Sequence, residues 1–486
     1  MPDVPQSRIR PLNTAAIHPG GQLVLYWMVA TRRLQHNFAL QRAVEHARQL
    51  HRPLVILEAL RCDYRWACDR FHGFILDGMR DHRALLARRR VLYHPYVELE
   101  RGQGKGLLAE IGRLACVVVT DDFPTFFFPR MLDAAAHQLT VRLEAVDSAG
   151  IMPIRLFDRA FPTAHAFRRQ LQRRLPAELG LPPAADPLRG LRVPRLAALP
   201  RHITRRWPAA TPELLAAGDV LARLPIDHAV GRTTTRGGHR AAQALWRAFL
   251  QHGLLRYHDQ RNDLDHEATS QLSAHLHFGH IGSQQLVHDL LAHEGFHREL
   301  LSPDTRGRRE GWWGLSPGAE AFLDQLITWR ELGFNMCAVR ADHDQYRSLP
   351  PWARETLAQH QDDPRPRRYT LEQFEQAATH DPLWNAAQRQ LQREGRIHNY
   401  LRMLWGKKIL QWTRRPREAL RVMIELNNRL ALDGRDPNSY SGIFWILGRY
   451  DRAWGPQRPV FGKVRYMSSD NTRRKLRVQD YLQRHR

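Results

Sequence analysis

Three clusters in the second half of the chain carry residue types that can hold or move charge. The stretch HDPLWNAAQRQLQREGRIHNYLRMLWGKKILQW (380–412) contains Trp384, Trp405 and Trp412. Trp405 and Trp412 are seven residues apart, which on a helix puts them on one face and separates them by about 10 Å along the axis. Trp384, on the preceding helical segment, could pack between them. Three such indoles either fill a core or form a path for an electron. Lys407, Lys408, Arg414, Arg415 and Arg417 form a basic run that suits phosphate contacts or a solvated face.

The second cluster lies downstream of Tyr257, in RNDLDHEATSQLSAHLHFGHI. Thr269, Ser270 and Ser273 bunch hydroxyls where a helix would begin. Hydroxyls and free N–H groups there suit a pyrophosphate, or equally an ordinary capping box without a ligand. His275, His277 and His280 follow, but no acidic or thiol partner sits at metal spacing, so no metal site is expected. The third cluster is IELNNRLALDGRDPNSYSGIFWILG (424–448), continuing to RPVFGKVRYMSSD (458–470). LDGRDPN is a tight turn, and its Asp433 is a candidate partner for Arg402, a pairing that would offset part of the cost of desolvating both charges.

These clusters need elements to position them. From 231 onward the pattern is helical nearly throughout. Before it, LVLYWMV (23–29), PLVILEAL (53–60), RVLYHPYV (90–97), CVVVT (116–120) and VRLEAV (141–146) read as strands. Helices with 3.6-residue periodicity alternate with them at 37–50, 71–89, 106–114 and 128–139. Such alternation predicts an α/β domain with a parallel sheet covered on both faces, and a nucleotide-like ligand would suit the carboxyl ends of its strands. No GxGxxG follows the first strand, and Gly102, Gly104 and Gly106 read as a flexible loop rather than a P-loop. The expected organisation is a polar tail (1–20), an α/β domain (21–155), a Pro- and Arg-rich connection with short helical pieces (156–230) and a helical domain (231–486).

With 486 residues, the chain has room for two substantial cores. No apolar run reaches the ~20 residues of a membrane span, and the N-terminus lacks a signal-peptide core. Four cysteines, none in a CxxC pair, fit a reducing cytoplasm. The net charge of +24 favours a polyanionic partner. Only five of the 73 basic residues are lysine, however, so part of that excess reflects a general preference for arginine.

The block THDPLWNAAQ … GRIHNYLRMLWGKKILQW … LDGRDPNSYSGIFW … RPVFGKVRYM closely resembles class II cyclobutane pyrimidine dimer photolyases. TSQLSAHLHFGHI resembles that family's flavin-phosphate segment, and YWMVATRRLQHNFAL the opening of its antenna domain. The resemblance implies the photolyase fold: a Rossmann-like α/β domain with a parallel sheet, a long linker and an all-α FAD-binding domain. It also implies a carbon–carbon lyase, monomeric and acting on nucleoid DNA, in which light-excited FADH⁻ passes an electron to a flipped-out dimer and so opens the cyclobutane ring.

Carried over by position, the resemblance gives Tyr257, Thr269, Ser270, Gln271, Leu272 and Ser273 the FAD phosphates and ribityl chain. Arg402 and Asp433 would pair beside the isoalloxazine, with Arg435 in the same cofactor site and Asn427 facing flavin N5. Trp329, Asn399, Met403 and Trp445 would contact the dimer, and Arg465 would help fill the gap in the duplex. Trp405, Trp384 and Trp412, in that order outward, match the electron-transfer tryptophans. The sequence departs from the family at two places. Gln325 stands where a dimer-contacting glutamate is usual, with Asp324 beside it, and an amide cannot supply negative charge. VATRRLQHN stands where acidic residues are more usual, which bears on whether an antenna chromophore of deazaflavin or folate type binds. A cryptochrome-like photoreceptor would carry a long C-terminal extension, whereas this chain stops soon after VRYMSSDNTRRKLRV. A repair-inactive DNA-binding homologue would explain the charge but not the motif blocks, and a flavin oxidoreductase would turn over in the dark.

Overall fold

The computed structural model describes residues 2–216 and 218–486. Contacts divide them into two compact units. One comprises the chain up to Leu156 with Leu175–Arg247 and Leu272–Leu291; the other comprises Phe157–Arg174, Ala248–Gln271 and Ala292–Arg486. The stretch expected as a connection is therefore shared between them. Its apolar side chains explain this: Leu188, Leu191 and Val193 are buried in the core of the first unit with strand residues such as Val24, Tyr26 and Ile56. Among the described residues no helix is long and apolar enough to cross a membrane.

The first unit is built on a six-stranded sheet of order β1-β6-β5-β2-β3-β4. Its strands are β1 (Ile9–Pro11), β2 (Leu23–Met28), β3 (Leu54–Leu60), β4 (Leu92–Val97), β5 (Ala115–Asp121) and β6 (Arg142–Val146). The pairings from β2 to β6 are parallel. Every residue of β2 and β5 is buried, as a sheet covered on both faces requires. Helices α1 (Phe38–Gln49), α2 (Asp69–Leu86), α3 (Leu107–Leu114) and α4 (Phe128–Gln138) make the crossovers. The expected polar tail contains β1, which pairs antiparallel with β6, Ile9 opposite Val146. Three residues ending in proline give no sequence signal, but proline is tolerated on an edge strand. The preceding Arg8 is buried and donates to Asp147 and to the Gly150 and Ile151 carbonyls.

Parallel α/β sheets bind ligands where the strand order reverses, here between β2 and β5. At that point the N–H groups of Val29, Ala30 and Thr31 all donate to Asp121 Oδ2, at 2.9, 2.8 and 2.9 Å. The Tyr26 hydroxyl donates to Asp121 Oδ1 at 2.8 Å. The amides that could cradle a nucleotide phosphate are thus taken by the chain's own carboxylate.

The second unit is helical. Its main elements are α5 (Leu254–Gln260), α6 (Pro317–Leu323), α7 (Arg330–Val339), α8 (Pro382–Glu394), α9 (Asn399–Trp412), α10 (Pro416–Leu430) and α11 (Pro437–Ile446). Proline at the first helical position starts α6, α8, α10 and α11, where its missing N–H costs nothing. Asp381 caps α8 through the Leu383 and Trp384 N–H groups, and Asp436 caps α11 through that of Asn438. Two π-helical turns, Phe249–Gly253 and Asp324–Trp329, run into α5 and α7. Such turns insert an extra residue and re-aim the side chains around them.

Candidate active site

The three tryptophans lie on α8 and α9 and are buried, with 0% (Trp384), 1% (Trp405) and 4% (Trp412) of their surface exposed. Trp384 touches both of the others. Its indole N–H donates to the Trp405 carbonyl at 3.0 Å, and its ring centre lies 6.0 Å from that of Trp412. The Trp405 indole N–H donates to Gln388 Oε1 at 2.9 Å. Beyond Trp412 lies an aromatic residue that the sequence did not single out. Tyr369 packs edge-on against Trp412 with ring centres 5.5 Å apart, and its hydroxyl shares a hydrogen bond with His380 Nδ1 at 2.7 Å. The signal missed was the tyrosine in RRYTLEQF, whose partners lie 11 and 43 residues away.

The first turn of α9 presents Arg402, whose Nη2 donates to both oxygens of Asp433, at 3.1 and 3.2 Å. Their side chains keep 20% and 14% of their surface exposed, whereas Leu401, Leu404 and Trp405 are closed off. The ion pair therefore faces an open side of the unit. Asp433 is held by the LDGRDPN turn. A Cβ on Gly434 would lie 2.6 Å from the Asn427 carbonyl oxygen, so only glycine fits there. Arg435 follows at φ 65°, buried, with its guanidinium on the carbonyls of Asn428 and Leu432 at the end of α10. Asn427, on the last turns of α10, is buried and donates its amide to Ser439 Oγ at 2.7 Å.

The Tyr257 and Thr269–Ser273 segment is arranged differently from the capping motif that its hydroxyls suggested. The division between the two units falls between Gln271 and Leu272. Leu272 is the N-cap of a five-residue helix, Ser273–His277, without a side-chain capping bond. The Thr269 hydroxyl instead donates to Glu267, which pairs with Arg396 at 2.6 Å. That pair ties the hydroxyl-bearing loop to the α8–α9 connection, close in sequence to Arg402. Ser270 is partly exposed and Gln271 exposed, the latter at φ 55°. Tyr257 is buried, with its ring centre 5.6 Å from those of both Phe249 and Phe322. It acts as an aromatic anchor between α5 and α6.

The residues expected at a dimer pocket divide into packed and open ones. Trp329 and Trp445 meet with ring centres 5.6 Å apart at 43°. Asn399 opens α9 and is exposed, and Met403 one turn on is partly exposed. Arg465 is exposed and lies over Trp454, its guanidinium carbon 4.9 Å from the ring centre. Gln325 is partly exposed on the π-helical turn. Asp324 does not take the place of the missing glutamate, because it is buried and pairs with Arg168 at 2.9 Å.

Two lysines overturn the reading of a basic run. Lys407 is buried and donates to the Ile446 carbonyl at 2.5 Å, and burial pulls its pKa down to about 7. It closes the end of α11, next to Trp445. Lys408 is buried over the Trp412 ring. Neither lysine lies on a solvated face.

His275 and His280 lie in the first unit, buried around Phe74 with ring centres 5.0 Å from its own. Desolvation lowers His275 to about 4, so it is neutral at neutral pH. Among the described residues no group of three His, Cys, Asp or Glu is placed to hold a metal ion.

No family model matches the chain. Individual proteins do. It is 33% identical over 478 residues to the deoxyribodipyrimidine photo-lyase of Methanothermobacter thermautotrophicus, covering 98% of this chain and 97% of that one. It is 33% identical over 493 residues to the rice (Oryza sativa) protein of the same name, covering 98% and 90%. With the Potorous tridactylus photo-lyase it shares 30% over 470 residues, covering 95% and 80%. Among solved structures it resembles a bacterial class III photolyase from Agrobacterium tumefaciens, with a TM-score of 0.62 over 96% of this chain and 86% of that one at 15% identity, which speaks to fold. The chain belongs to the photolyase/cryptochrome family. Membership implies a flavin, and the donor set suits one: an Arg402–Asp433 pair that keeps an open side, the hydroxyls of Thr269 and Ser270, and the Asn427 amide.

Proposed function

We propose that the chain is a class II cyclobutane pyrimidine dimer photolyase that repairs dimers in DNA under near-ultraviolet or blue light. The observation that carries this reading is the joining of two devices on α9. Its first turn bears the half-open Arg402–Asp433 pair, and its later turns bear the indoles that Trp384 bridges. FAD, when bound in reduced form, supplies the photoexcited electron that opens the cyclobutane ring. The protein's share of the work is binding, orientation and electrostatics.

Arg402, Asp433 and Asn427 would hold the isoalloxazine, and Thr269 to Ser273 with Tyr257 and Arg435 the rest of the cofactor. Because the Asn427 amide nitrogen donates to both Ser439 Oγ and Asn428 Oδ1, its side-chain oxygen would be the atom that accepts from a protonated flavin nitrogen. Trp329 and Trp445 would wall the pocket for the extruded dimer, with Gln325, Asn399 and Met403 at its edge and Arg465 toward the duplex. Extrusion is easier for a dimer than for an intact pair because its stacking and pairing are already weakened. Trp405, Trp384 and Trp412 would return oxidised flavin to its working state. An antenna chromophore of deazaflavin or folate type, if carried by the α/β unit, would need donors other than the amides that Asp121 occupies.

The deciding experiment is an absorption spectrum of the purified protein followed by dimer repair with and without light. Flavin absorption with light-dependent repair is expected. A flavin-free preparation that cannot be reconstituted, or repair in the dark, would refute the reading. Flavin without repair would move the chain to a photoreceptor.

A further inference from the structure

We propose that an arginine-lined recess beyond the C-terminal end of α9 docks a small, multiply anionic reductant that refills the outer end of the tryptophan row. This rests on the electron-carrying role given to that row above. Arg414, Arg415, Arg417 and Arg421 line a recess of about 580 Å³ with a single carboxylate, Glu418. Arg417 lies over Tyr346 with its guanidinium carbon 4.7 Å from the ring centre, an arrangement that steadies a cation. Arg414 begins two residues after Trp412. Trp412 also accepts, at its carbonyl, the N–H of Tyr369, which follows Arg367 and Arg368 in the chain. Four guanidinium groups around one concavity favour a ligand with more than one negative charge.

The position separates this recess from the site for DNA. Arg402 and Trp412 stand ten residues apart on α9, about 15 Å along its axis. Trp329 precedes α7, whereas Tyr346, under Arg417, lies past that helix's other end. The recess therefore adjoins the exit of the row, not its flavin end. In the step itself, one electron leaves the donor atom of the reductant and neutralises the electron-deficient Trp412 indole. For a thiol donor the S–H proton passes to water, and the thiyl radicals from two such turnovers combine into one disulfide. The row has then delivered one electron inward through Trp384 and Trp405.

The test is a charge series of thiol reductants driving flavin photoreduction in the holoprotein: mercaptosuccinate (dianionic), dithiothreitol (neutral) and cysteamine (cationic). Mercaptosuccinate should react fastest, by about tenfold over the neutral thiol at low salt, and lose that lead as salt rises. Arg414→Gln/Arg415→Gln/Arg421→Gln should abolish the lead and leave the dithiothreitol rate unchanged. Glu418→Gln should enlarge the lead. Citrate titrated by calorimetry should bind the native protein and not the triple variant. A flat charge series with active dithiothreitol overturns the docking proposal alone. A triple variant that weakens DNA binding while sparing the mercaptosuccinate lead makes the recess a phosphate contact, and also overturns it. If all three thiols are inert on flavin-loaded protein, the electron-carrying row itself is refuted and the docking site falls with it.

Discussion

Two buried carboxylates of the sheet unit and the polar groups around Arg402 in the helical unit are bonded in opposite ways. In the sheet unit Asp121 and Glu58 are closed on themselves. Asp121 takes three backbone amides and a tyrosine, while Glu58 is buried against Arg32, His82 and Tyr93. In the helical unit the Arg402–Asp433 pair, Asn399, Met403 and Gln325 keep part of their surface open. A polar group satisfied from every side specifies a fold, and one satisfied from a single side can still receive a ligand. The contrast fits a scaffold role for the sheet unit and the chemistry proposed for the helical one.

The largest effect expected from breaking this contrast is in the sheet. Asp121→Ala orphans three buried amides, each costing about 1–3 kcal/mol, so unfolding free energy should fall by more than about 3 kcal/mol. Asp433→Asn should cost far less stability and act instead on flavin retention. Chemical denaturation and released flavin, measured on both variants, decide it, and equal stability losses would erase the distinction.

Acid should expose the same scaffold. The His82 and Arg32 partners outweigh desolvation and hold Glu58 at about 2, below its ordinary 4.5. The unfolded chain therefore takes up the proton first, so the stability Glu58 contributes is complete above about pH 4.5 and lost as pH falls toward 2. Glu58→Gln should flatten that part of the stability–pH profile. A profile with the native slope would show that other carboxylates govern acid unfolding.

Trp405→Phe sharpens the comparison from the helical side. It keeps an aromatic filler and removes an oxidisable indole, leaving a smaller cavity than alanine would. Photoreduction by an external thiol should slow severely, whereas repair by chemically reduced protein persists. Unchanged photoreduction would make Trp405 a packing residue, and equal loss of both activities would point to folding or flavin binding. The smallest effect is expected from Gln325→Glu, which restores a carboxylate at the open edge of the pocket. A charge-assisted bond to the dimer should gain about 1 kcal/mol in binding, read as tighter binding of damaged but not intact DNA.

What the sequence made readable was whatever depends on neighbours. Runs such as LVLYWMV and CVVVT are apolar along their whole length, and strands buried on both faces follow from that. The seven-residue spacing of Trp405 and Trp412 put them on one helix, and Trp384 does touch both. Contacts set by tertiary folding were not readable. Lys407 looks like surface charge in any local window, and only the packing of α11 against α9 buries it. Asp121 lies 90 residues or more from the amides it caps. The hydroxyls of TSQLS suggested a capped helix, but Glu267 and Arg396 draw Thr269 elsewhere.

Lys408 has a further consequence for the timing of charge movement. Its ammonium lies 5.4 Å from the centre of the Trp412 ring. A cation there is attracted to the neutral indole face, and it opposes the positive charge that the ring would carry after losing an electron. The Trp412 indole is therefore harder to oxidise than its position alone would make it, and in the proposed relay a hole arriving there would be pushed back toward Trp384. If the row carries electrons as proposed, it would behave as a reversible relay with a raised last step, and charge separation would last only when a donor outside fills the hole promptly. Burial lowers the Lys408 pKa, so alkaline conditions discharge it sooner than a surface lysine, lowering that last step and prolonging the separated state.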